Sequence, residues 1–123
     1  MLKLLIIPLL LLTITTFATS VSDVDPRYCH AINDIPRTST GTIKRDRYLL
    51  TVFKLKHPCP ATGLSTGKCS GWQIDHVIPL ACGGCDEMFN LQWLPDQIKT
   101  CAGDFCKDRW ERTLYCKDNY LGK

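Results

Sequence analysis

The sequence has no internal repeat, no low-complexity tract and no obvious linker, so its 123 residues form one domain rather than an array. It has no apolar run long enough to cross a bilayer. The longest, Leu4 to Phe17, is 14 residues and is interrupted by Pro8, against the roughly 20 a spanning helix needs. A large charge surplus is missing too. A formal net charge of +3, or +2 once residues 1–20 and their one lysine are removed, argues against very tight nonspecific binding to nucleic acid and favours transient, salt-sensitive contact. With 45% hydrophobic and 22% charged residues, wholesale disorder, collagen and coiled coil are excluded as well. Cysteine is the exception, with eight in so short a chain.

The first twenty residues have the pattern of an export signal. Lys3 supplies the positive start, Leu4 to Phe17 the apolar stretch, and Ala18-Thr19-Ser20 the small residues read by signal peptidase. A retained membrane anchor is the competing reading, disfavoured by the short run and the small-residue exit. The expectation is a protein secreted or periplasmic, without stable membrane association once residues 1–20 are removed.

All eight cysteines lie beyond that segment, and an even number in an exported chain favours disulfides. Only one C-x-x-C exists, Cys82-Gly83-Gly84-Cys85, so no second pair completes a zinc-ribbon spacing. A thioredoxin-like redox pair needs a helix starting at the motif, yet residues 86–90 are short and polar. The expected pairs are Cys59 with Cys69, Cys101 with Cys106, Cys29 with Cys116 across the termini, and Cys82 with Cys85 across a tight gap.

Residues 21–41 read as an irregular arm tied down by Cys29. Across Thr42 to Lys56, Ile43, Leu50 and Phe53 lie near helical spacing and Thr42 could cap, while the β-rich run Tyr48 to Phe53 competes as strand. Arg37, Lys44, Arg45, Arg47, Lys54 and Lys56 crowd this region against Asp46 alone. That is either a solvated face or a basic stripe for phosphates. Residues 57–71, with two prolines and three glycines, form a loop that Cys59–Cys69 would close. Trp72 to Leu80 is strand-forming until Pro79, and a second apolar run, Asn90 to Leu94, predicts a hairpin with a long loop. Pro95 suits the first turn of a helix continuing through Thr100. Residues 107–116 read as a further helix with Trp110 and Leu114 on one face. On it, Lys107, Arg109 and Arg112 alternate with Asp108 and Glu111, either as a mixed solvated face or as phosphate contacts. Trp72 and Trp93 read as core anchors.

An adjacent Asp75-His76 near a strand end carries the chemistry. By itself it is an ordinary surface carboxylate beside a hydrogen-bonded histidine, and regular strand geometry would send the two side chains to opposite faces. Its surroundings change its weight. WQIDHVIPLACGGCDEMFNLQW resembles the core of the HNH endonucleases, the ββα-metal nucleases. Residues 57–71 and the later Lys-Asp-Arg-Trp-Glu at 107–111 are similar to one subgroup, so the resemblance spans roughly 44–112. It implies an α+β fold, a small ββα-metal core with flanking helices, stapled here by disulfides and occupying residues 42–123.

The resemblance further implies His76 as general base, Asp75 as metal ligand and Asn90 as the brace of the hairpin. Imidazole titrates near neutral pH and suits activation of water, while a hard cation on a carboxylate would offset charge at the phosphate. The implied cofactor is one divalent ion, Mg²⁺ or Mn²⁺, with Zn²⁺ as a further candidate. The implied partner is nucleic acid, DNA before RNA, contacted by Lys44, Arg45, Arg47, Lys107 and Arg109. The third family position departs from the pattern: Lys99 stands where a His or Asn is usual. A protonated lysine cannot ligate a metal but can meet a phosphate as a point charge. Asp96 or Asp104 are the candidate substitute ligands. Two other classes stay open: a non-catalytic disulfide-rich binding protein on this framework, and an exported nuclease toxin with its own inhibitor protein.

Overall fold

The structure, a computed structural model, describes residues 24–102, 104–119 and 121, so the expected export signal lies outside the described residues. It is a small mixed helix-and-strand fold. Helix α1 (Leu49–Lys56) precedes an antiparallel hairpin of β1 (Trp72–His76) and β2 (Leu91–Pro95). A short α2 (Asp96–Lys99) follows, then α3 (Lys107–Tyr115). The register sets Trp72 opposite Pro95, Asp75 opposite Gln92 and His76 opposite Leu91.

Between residues 42 and 56 the helix wins over the strand, but only from Leu49. Ile43 is committed to an isolated bridge with Arg37, and Thr38 and Thr42 bond each other, so Thr42 caps nothing. The Asp46 carboxylate instead accepts from the Tyr48 N–H at 2.8 Å, next to the helix start. Leu49 and Phe53, one turn apart, are the buried pair, while β-branched Thr51 and Val52 face solvent.

The core is two small clusters. Leu49, Phe53 and Leu91 pack together with Ile74, Met88 and Trp93 at the edge. Tyr28, Ile78 and Cys82 form the other, with Tyr115 and Cys116 against them. Both expected tryptophan anchors are half-buried and rim the core rather than fill it. Trp93 packs 6.1 Å from the Phe53 ring and donates its indole N–H to the His57 carbonyl. On α3 the expected apolar face is solvent-exposed at Trp110 and Leu114. The face turned inward carries Lys107.

Four disulfides staple the chain, and no described cysteine is free. Cys59–Cys69 and Cys101–Cys106 are as expected. The other two differ: Cys29 joins Cys85, and Cys82 joins Cys116. The arm explains the exchange. It runs beside residues 83–85, where the Cys29 and His30 N–H groups both donate to the Gly83 carbonyl and Cys85 N–H donates to Arg27. Cys29 is therefore delivered to Cys85, and the end of α3 brings Cys116 to Cys82. Gly83 sits at φ +90°, and a Cβ there would meet the His30 carbonyl oxygen at 2.0 Å, so only glycine admits this pairing. Each of these two long closures contributes about 4 kcal/mol by restricting the unfolded chain. The disulfides point to an oxidising, non-cytoplasmic environment. Among the described residues no helix is long and apolar enough to cross a membrane.

Candidate active site

His76 is the last residue of β1, where the strand ladder stops. Asp75 is buried and His76 keeps 15% side-chain exposure, yet both line one groove of about 330 Å³ with Arg45, Lys99, Glu111 and Arg112. The strand end thus resolves the opposite-face problem.

Asn90 controls how the chain leaves that strand. It is fully buried, its Oδ1 accepts from Ile78 N–H at 2.9 Å, and its Nδ2 donates to the carbonyls of Ile78 and Cys85 at 2.9 and 2.8 Å. Its backbone carbonyl also accepts from Val77 N–H. The side-chain amide thus fixes Ile78 with both its acceptor and its donor, while the backbone carbonyl of the same residue holds Val77. Gly84 is part of the same turn, since a Cβ there would lie 2.1 Å from the Ile78 carbonyl oxygen.

The imidazole is oriented by a residue that motif reasoning missed. His76 Nε2 lies 2.8 Å from Asp86 Oδ1, and the other Asp86 oxygen accepts from the Asp46 N–H at 2.5 Å. Asp86 thereby joins His76 to the segment carrying Lys44, Arg45 and Arg47. Only its position just past the Gly-Gly turn hinted at this.

Asp75 is the centre of a charge cluster. Lys99 Nζ donates to its Oδ1 at 2.8 Å, Lys107 Nζ approaches Oδ2 at 2.9 Å, and Gln92, its register partner, donates to Oδ2 at 3.1 Å. Lys99 also bonds Asp108 Oδ1 at 3.1 Å, and Lys107 bonds Glu111 and the His76 carbonyl oxygen. Burial pushes the Asp75 carboxyl up, but the bonds from Lys99, Lys107 and Gln92 outweigh it and hold it below the usual carboxylate range. For Lys99, burial pushes down, and the bonds to Asp75 and Asp108 raise it above the ordinary lysine value.

The basic residues separate into groups. Lys107 is not a phosphate contact: it is 3% exposed and consumed by Asp75, Glu111 and His76. Its i,i+4 spacing with Glu111 turns both toward Asp75. Arg45 and Arg112 are exposed and line the groove, while Lys44 joins Arg45 along an adjoining cavity of about 220 Å³. Arg47 and Arg109 are exposed but line neither hollow. Asp96 is engaged by Gln73 at 2.7 Å and Asp104 is exposed, and neither belongs to the acidic group at Asp75. The carboxylates that gather there are Asp108 and Glu111.

Oxygens of Asp75, Asp108 and Glu111 lie within 4.8 Å of one another, a spacing that by itself suits a cation. The two ammonium groups already bridge them. An ion here would sit beside both ammonium groups and could reach Asp75 only by displacing one of them from its oxygens. As arranged, neither Asp75 oxygen is open to a divalent ion, and the group fits one only if a lysine leaves it. No family model, no curated protein and no solved structure matches the chain.

Proposed function

We propose that the chain is an HNH-type endonuclease that hydrolyses phosphodiester bonds in nucleic acid, DNA first. The observation that carries this reading is the Asp86–His76 pair at a groove flanked by Arg45 and Arg112. A histidine oriented by a carboxylate at a polar, cation-lined hollow has what activation of water at a phosphate requires. With Nε2 on Asp86, Nδ1 is the nitrogen left to take the proton from water. Arg45 and Arg112 supply charge for the flanking phosphates, and Asn90 keeps the strand exit rigid so that the imidazole does not drift. The divalent ion implied by the resemblance is the one component the donor set at Asp75 disfavours.

Incubation of the oxidised protein with supercoiled plasmid, in Mg²⁺, in Mn²⁺ and in chelator, tests the reading. Nicking in at least one condition is expected. Intact plasmid and intact RNA in all three would refute it and leave the non-catalytic binding scaffold.

A further inference from the structure

We propose, building on the phosphodiesterase reading, that Lys99 supplies the positive charge at the scissile phosphate and that Asp75 is the counter-ion holding it there, so that hydrolysis needs no divalent ion.

Each oxygen of Asp75 is already matched to an ammonium, Oδ1 to Lys99 at 2.8 Å and Oδ2 to Lys107 at 2.9 Å. The two carboxylates that would complete a metal site are tied to the same lysines, Asp108 to Lys99 and Glu111 to Lys107. Both oxygens of Asp75 are therefore taken, whereas Asp108 and Glu111 meet the lysines through one oxygen each, so an ion held by all three carboxylates would have to displace a lysine from Asp75.

The lysines are not equivalent. Lys107 is buried and spends its three donors on Asp75, Glu111 and the His76 carbonyl. It is a positioning residue that locks Asp75 and the His76 backbone together. Lys99 spends two donors, on Asp75 and Asp108, and lines the groove beside His76. Its third N–H is left for a ligand in that groove.

The step balances without a metal. Water oxygen attacks phosphorus as His76 takes a proton from it, and the phosphorus–oxygen bond to one sugar breaks. The products are a phosphate monoester end and a hydroxyl end. The leaving oxygen takes its proton from solvent, and His76 returns its own to solvent. Lys99 stays protonated throughout, and its charge offsets the negative charge that grows on the phosphoryl oxygens.

Two measurements on the full, oxidised protein decide this. Plasmid cleavage is expected at the same rate in Mg²⁺ and in excess EDTA, and Lys99→Met should lower it about 100-fold or more, as loss of a transition-state donor does. Cleavage that requires metal would overturn the inference while leaving the nuclease reading standing. Cleavage in neither condition would sink the nuclease reading and the catalytic role of Lys99 with it. Titration of Mn²⁺ by electron paramagnetic resonance then decides the remaining claim independently of activity. Wild type should show no one-to-one site, and Lys99→Met, which frees Asp75 and Asp108, should create one. A stoichiometric Mn²⁺ site in wild type that disappears in Asp75→Asn would show that Asp75 holds metal, not lysine.

Discussion

Two buried polar clusters flank His76, and they hold their positions by different physics. On one side Asn90 satisfies backbone groups of Ile78 and Cys85 with a neutral amide. On the other, Asp75 is clamped between two ammonium groups. A neutral brace costs little to bury once every donor and acceptor is matched. A charged one is tolerable only while each charge keeps its partner. The first should therefore respond to mutation through packing and hydrogen bonds alone, the second through uncompensated charge and pH.

The largest stability effect is expected on the ionic side. Asp75→Ala leaves buried Lys107 and half-buried Lys99 without their shared counter-ion and should cost about 3–5 kcal/mol in urea unfolding. A cost near zero would mean that water replaces the carboxylate and that the clamp is loose. Asn90→Ala orphans two carbonyls and one N–H in a dry turn and should cost about 2–4 kcal/mol. Because the turn sets the exit from β1, it should also slow any cleavage even where the variant stays folded.

Acidity separates the two clusters. The Asp75 pKa is lowered in the folded protein, so its contribution is full above its ordinary value of 3.8 and is lost as pH falls through the lower folded value. The Lys99 pKa is raised, so its contribution is full below 10.5 and is lost as pH rises through the higher folded value. Melting temperature should fall at both extremes in wild type and in Asn90→Ala, which removes no titrating group. Asp75→Asn should flatten both limbs, and unchanged limbs would assign the pH dependence to other groups. Smallest of all, Arg109→Ala should leave stability within about 0.5 kcal/mol, since its side chain is exposed on α3.

The same contrast explains what was legible in the sequence. The hairpin's apolar runs and its Gly-Gly turn are local, so β1 and β2 could be read from the residues, whereas Asn90 as their brace came from the resemblance alone. The charge cluster is assembled from β1, β2, α2 and α3, and no local pattern announces that Lys107 turns inward rather than toward phosphate. Its Lys-x-x-x-Glu spacing was visible, but the same spacing serves a solvated face equally well. The cysteine exchange has a similar origin. Cys82 and Cys85 look like partners along the chain, yet the arm's backbone bonds to residues 83–85 give each a distant one. Asp86 escaped because its position just past the Gly-Gly turn is the one hint the sequence holds, and a single acid in a loop is ordinary until His76 is seen beside it.

The central claim is that His76, oriented by Asp86, is the base that activates water at a phosphodiester. It is tested most directly by the rate of plasmid nicking for wild type and His76→Ala at matched far-ultraviolet circular dichroism. Loss of a positioned general base predicts a fall of about 10²–10⁴-fold, with Asp86→Asn giving a smaller fall. Equal rates for wild type and His76→Ala would contradict the account.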